Sequence, residues 1–153
     1  MEIEAIPENL LREPIEYLFA DHFRQQLICN LLDDILSDFA AERVPRLAAA
    51  VLAYLRTELP LHIADEEQDL FPCLRKRSLP ADDLVVALEL LLREHERDAD
   101  FGRQLQVGLE ALAQRRPLAE LDRFLGLAAM FTETQDATWL GRTAFSCRSR
   151  ASG

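Results

Sequence analysis

The chain has 153 residues and only three histidines, His22, His62 and His95, each set among apolar residues at helical spacing. His62 and Glu66 stand at i and i+4, so on a helix they lie one turn apart on one face. The rest of that face is Leu55, Leu59, Leu70 and Leu74. A carboxylate buried there without a partner is costly and tends to protonate. Neutral imidazole and ionised carboxylate are standard ligands of zinc and non-haem iron. A metal ion would convert the penalty of burying Glu66 into binding. One core-facing histidine is more often hydrogen-bonded than metal-bound. Three on successive segments, with a carboxylate one turn away, point to a shared site. A Glu66–His62 or Glu66–arginine pair at the bundle edge is the alternative.

These residues need helices to bring them together. Four helical segments are predicted, each introduced by a proline. The first begins at Pro14 and carries Ile15, Leu18, Phe19, His22, Cys29, Leu32, Leu36 and Phe39 on its stripe. A break at Arg43, Val44 and Pro45 leads into a second segment reaching about Arg75, with Pro60 inside it as an expected kink. Ser78, Pro80, Asp82 and Asp83 are a start signal for the third, whose stripe runs through Leu84, Leu88, Leu91, His95, Ala99, Leu105, Leu109 and Leu112. Arg115 and Arg116 suit its end, and Pro117 opens the fourth, with Phe124, Ala128 and Phe131. Short connections between long amphipathic helices imply an all-α, antiparallel up-down-up-down four-helix bundle. Residues 1–135 are expected to form that bundle and residues 136–153 an irregular tail.

Composition narrows the function. Leu and Ala dominate the apolar residues, which favours helix over sheet. The net charge of −10 argues against a nucleic-acid or anionic-membrane partner. The N-terminal stretch lacks a signal-peptide core, and no apolar run approaches membrane-spanning length. Cys29, Cys73 and Cys147 form no CxxC pair and read as reduced, buried thiols of a cytoplasmic protein. No Gly-rich phosphate loop or nucleophilic triad is present. With no acid–base group or substrate pocket to name, the chain is not read as an enzyme.

Three strings carry a resemblance: P-I-E-Y-L-F-A-D-H at 14–22, H-I-A-D-E-E-Q-D-L-F-P at 62–72 and L-L-R-E-H at 91–95. They resemble three of the four helix signatures of the hemerythrin-like (HHE) cation-binding family, over roughly residues 10 to 135. The resemblance implies a non-haem iron site, a diiron pair in the family, with His22, His62, Glu66 and His95 as the matching ligands. It implies a metal ion as partner and a role in binding or sensing oxygen or nitric oxide, or in handling iron. Zinc is an alternative ion, and a metal-free structural or interaction bundle is the alternative function. The ferritin-like variant is disfavoured, because Phe19, Leu59 and Leu92 stand where E-x-x-H would need glutamate.

The chain departs from the family in two places. Oxygen carriers have a second histidine one turn after the third-helix histidine, where this chain has Ala99. The family's fourth helix repeats the histidine–carboxylate pair, and this chain has no histidine after His95. Four donors suit at most one ion. Asp65, Glu67 and Asp69 read as a solvated face, Glu67 pointing away from the stripe at i+5 from His62. After Gln135 helical periodicity is lost. Back-translated with permitted codons and read two bases later, the tail becomes RHLAWENGVLLPLARVR. That reading puts histidine, glutamate and proline at the places of Ala137, Gly141 and Cys147, the spacing of His62, Glu66 and Pro72. A frameshifted fourth-helix motif is therefore one expectation for the tail, and a native terminus diverged by substitution is the other.

Overall fold

Prolines stand at the starts of the first two helices and just after the places where the second one widens. The computed structural model describes residues 14–77 and 84–150, with side chains over 20–76 and 84–135. Helix α1 spans Pro14–Ser37. Its end is turned by Asp38, whose Oδ1 accepts the Ala40 amide at 3.0 Å. Helix α2 is continuous but uneven: α-helical at Val44–Ala53, π-helical at Tyr54–Glu58, α-helical at Leu59–Asp65, π-helical at Glu66–Leu70 and α-helical at Phe71–Arg77. Helix α3 spans Leu84–Ala113, and α4 spans Leu121–Arg150. Every described element is helical.

Each π turn in α2 stands just before a proline. The Leu59 amide bonds the Tyr54 carbonyl ahead of Pro60, and the Phe71 amide bonds the Glu66 carbonyl ahead of Pro72. Proline has no N–H, and its ring clashes with the carbonyl four residues back. One extra residue in the preceding turn relieves that clash. The kink expected at Pro60 is thus a widened turn, and it has a counterpart at Pro72. Such π turns recur at functional sites, and here they bracket His62 and Glu66.

Helix α1 packs on α2, α2 on α3, α3 on α4, and α4 returns to α1. The main core holds Ile28, Leu32 and Ile35 of α1, Leu47, Val51, Leu55 and Leu59 of α2, Leu105 and Leu109 of α3, and Phe124, Ala128 and Phe131 of α4. A smaller core joins Phe71 to Leu84 and Leu88. Along α2 and α3 the polar residues sit between these two cores. By length and composition Val44–Lys76 is apolar enough to cross a membrane, but its apolar stripe is what builds the bundle core. Gly108 lets α3 and α4 close together: a Cβ there would fall 2.3 Å from the Phe124 ring.

Several expectations need correction. The fourth helix starts at Leu121, not at Pro117, because residues 117–120 form a connecting loop. Helix α3 closes with Arg115 at φ 56° and the Arg116 amide on the Ala111 carbonyl at 2.8 Å, a Schellman-type end. The backbone of α4 is helical through Arg150. No proline follows Pro117, so nothing in the backbone chemistry forces a stop. Cys29 is buried as expected, but Cys73 is exposed, being turned outward just after Pro72. The start signal at Ser78, Pro80, Asp82 and Asp83, and the side chain of Cys147, lie outside the described residues.

Candidate metal centre

The site is built on helical phase. His22 comes from α1, His62 and Glu66 from the short α-helical stretch of α2 and the turn after it, and His95 from α3. All four are buried. His62 and Glu66 keep the i, i+4 relation because the Glu66 amide bonds the His62 and Ile63 carbonyls before the π turn begins.

Three imidazoles converge on one carboxylate. His22 Nε2 stands 3.5 Å and His62 Nε2 3.6 Å from Glu66 Oε1. His95 Nε2 stands 3.0 Å from the other oxygen, Oε2. One donor atom from each of His22, His62 and Glu66 lies within 4.8 Å of the others. Ligand atoms about 2.1 Å from a shared tetrahedral ion stand about 3.4 Å apart. The spacing therefore fits a single ion held by nitrogen and oxygen donors.

The rings are fixed by their neighbours. His22 and His62 meet edge to face with centroids 5.8 Å apart, and His62 and His95 do so at 6.0 Å. Phe71, the phenylalanine of the L-F-P string, stacks on His95 at 5.6 Å and an interplanar angle of 9°. The far nitrogen of each of two rings meets a second carboxylate. His62 Nδ1 contacts Asp21 Oδ2, and His95 Nδ1 stands 3.0 Å from Glu67 Oε1.

That pattern decides what fits between them. A carboxylate only accepts hydrogen bonds, so a neutral ring bonded to one through Nδ1 has its proton there. The Nε2 lone pairs of His62 and His95 then face Glu66, itself an acceptor. Acceptor facing acceptor in a buried site is relieved by a proton or by a metal ion between them. The donor set accordingly fits a metal ion, with the outer carboxylates orienting its histidine ligands.

The structure brings together all four residues singled out from the sequence, His95 joining through the second oxygen of Glu66. It also shows residues that the sequence reading missed. Asp21 is buried, in step with Gln25, Ile28 and Leu32 on α1, a stripe that would have revealed it. Glu67 is not simply solvated: it stands at the opening of the second π turn and reaches across to His95. Asp98, one turn beyond His95, is buried and lies beside Thr134 and Gln135 of α4. Burial raises its pKa, against the opposing influence of Thr134, Gln135 and the nearby His95.

Comparison with known proteins agrees with this geometry. The family described as Hemerythrin HHE cation binding domain matches residues 13–137. An uncharacterized protein of Haemophilus influenzae (strain ATCC 51907 / DSM 11121 / KW20 / Rd) is 32% identical over 122 residues, spanning 74% of this chain and 69% of that protein. No solved structure is a significant match.

Proposed function

The chain belongs to the hemerythrin HHE cation-binding domain family, and on that premise we propose that it holds one divalent transition-metal ion, iron in its working state, on His22, His62, His95 and Glu66. The observation that carries this reading is the convergence of three Nε2 atoms on the Glu66 carboxylate. Imidazole with carboxylate suits iron and zinc alike. Bound iron would supply reversible one-electron chemistry and an open position for a small ligand such as oxygen or nitric oxide. The chain's own residues do the rest. Glu66 offsets the charge of the ion, Asp21 and Glu67 set the tautomers of His62 and His95, and Phe71 holds the His95 plane.

We read the helices as alternating in direction, as in an up-down bundle, from the pairs that cross between them. Residue 24 pairs with 58 and 21 with 62, residue 56 with 110, and residue 123 with 104. We read the protein as a binding or sensing module, not as an enzyme.

X-ray absorption of the iron-loaded or zinc-loaded protein tests the assignment. The expected first shell holds three imidazole nitrogens, with the multiple-scattering signature of histidine, plus oxygen. A first shell with one imidazole or none would overturn it.

A further inference from the structure

His62 is held from behind by a polar chain that runs from the buried Asp21 and Arg24 out to the half-exposed Glu58. Its Nδ1 contacts Asp21 Oδ2, and both side chains are 3% exposed. Asp21 Oδ1 stands 3.6 Å from Arg24 Nη1, and Arg24 Nη2 donates to Glu58 Oε2 at 2.9 Å. The chain Glu58–Arg24–Asp21–His62 crosses between α1 and α2 and ends at the metal-facing ring. We propose that Asp21 is the positioning residue of this site: by holding the proton on His62 Nδ1, it presents the Nε2 lone pair to the ion.

The physical reason is a choice between tautomers. A neutral imidazole with no partner at Nδ1 would place its proton on Nε2, where Glu66 accepts it, and the ligand position would be blocked. Asp21 competes with Glu66 for that proton from the opposite edge of the ring. Glu67 has the same relation to His95, but its side chain is 34% exposed. Water shares that bond and weakens its hold, so Asp21 has the larger effect.

The proposal rests on the metal-site reading, and its test separates the two. Nitrogen NMR of the metal-free full chain reads the His62 tautomer, and chelator competition reads zinc affinity. Wild type is expected to carry the proton on Nδ1. Asp21→Ala should move it to Nε2 and weaken zinc binding about 10- to 100-fold, as lost outer-shell partners do. Asp21→Asn, closer in shape and able to accept through its carbonyl, should keep the Nδ1 proton with a smaller loss. It also serves if Asp21→Ala does not fold. Glu67→Ala should lose less than Asp21→Ala. An Nε2 proton in wild type, or wild-type zinc affinity in both Asp21 variants, would overturn the proposal. Wild type that binds neither zinc nor iron would overturn the metal reading, while the tautomer would still decide the role of Asp21.

A different observation carries a second inference. Buried positions on α4 step through Phe124, Ala128, Phe131 and Gln135, and the helix runs on to Arg150, yet the family match stops at residue 137. Gln135 meets Asp98 of α3. Three residues on along α4 and three back along α3 bring position 138 level with His95. We infer that the codons after Gln135 are read out of frame. Take codons made from the last base of one codon and the first two of the next. Trp139, Phe145 and Cys147 have codons beginning with T, and T in the middle of a codon always encodes an apolar residue. Thr138 then gives only Tyr, His, Asn or Asp. An AGA or AGG codon for Arg142 gives Lys, Gln, Glu or a stop, and a CGN codon for Arg148 gives Ser, Pro, Thr or Ala. Histidine, glutamate and proline at these three places reproduce the spacing of His62, Glu66 and Pro72. Loss of a single base would put that histidine at position 138, level with His95.

The gene sequence decides it. The expected result is codons that encode H-x3-E-x5-P in a shifted frame. When the frame is restored, the protein should bind two ions per chain where the present chain binds one. Codons that give no histidine–glutamate pair in either shifted frame would end the inference, whatever the metal content of the present chain.

Discussion

Glu66 Oε2 stands 3.0 Å from His95 Nε2, and both side chains are almost wholly buried between α2 and α3. This pair makes Glu66 the residue whose removal separates a metal site from a polar core. Glu66→Ala takes away the one carboxylate that, among the described residues, faces all three imidazoles, so metal affinity should fall by more than about 100-fold, beyond the effect of an outer partner. With free ion at about 100 times Kd, wild type should gain about 2.7 kcal/mol, or on the order of 5–10 °C in Tm. The variant should gain almost nothing. Without metal it should be as stable as wild type or more so, having lost a buried charge. Thermal melts with and without ion check both arms, and equal metal-induced shifts in the two proteins would contradict the account.

Asp98 gives a pH dependence of a different origin. Burial raises its pKa from the ordinary 3.8, so the folded chain holds this proton over a range where the unfolded chain has released it. Its contribution to stability is therefore largest at low pH. It declines as pH rises from about 3.8 through the raised folded value, and is flat beyond. Asp98→Asn removes the charge and keeps the shape. In melts of both proteins across pH, the variant should be the more stable at neutral pH, and the gap should close toward pH 4. A gap of constant size would contradict this.

Gly108 tests the α3–α4 contact. A Cβ at that position would lie 2.3 Å from the ring of Phe124, which is itself buried. Gly108→Ala gains helix propensity of about 1 kcal/mol but forces Phe124 off its place, an overpacking cost of about 1–3 kcal/mol. Denaturant unfolding should show no net gain and as much as about 2 kcal/mol of net loss. Adding Phe124→Leu should relieve the clash and make the alanine stabilising.

Much of the arrangement was legible in the sequence because it depends on helical phase. His22, His62 and His95 sit on apolar stripes, and the spacing of His62 and Glu66 survives because the stretch between them is plain α-helix. The π turns were not legible as such: Pro60 and Pro72 announce a disturbance, but only the backbone shows that it takes the form of one extra residue. Counting 100° per residue points Glu67 to solvent, but that angle does not hold at the edge of a π turn. Asp21 was missed because an aspartate before a core histidine looks like surface. Its burial follows the stripe of Gln25, Ile28 and Leu32, but its partner His62 lies on the next helix, and no local pattern encodes that contact.

The central claim is that His22, His62, His95 and Glu66 hold one ion, and anaerobic titration with ferrous iron, followed by metal analysis of the washed protein, tests it most directly. The account predicts one iron per chain, lost on His62→Ala with the helical circular dichroism retained. Two irons per chain with an oxo-bridge charge-transfer band on exposure to air, or one iron that persists in His62→Ala, would contradict it.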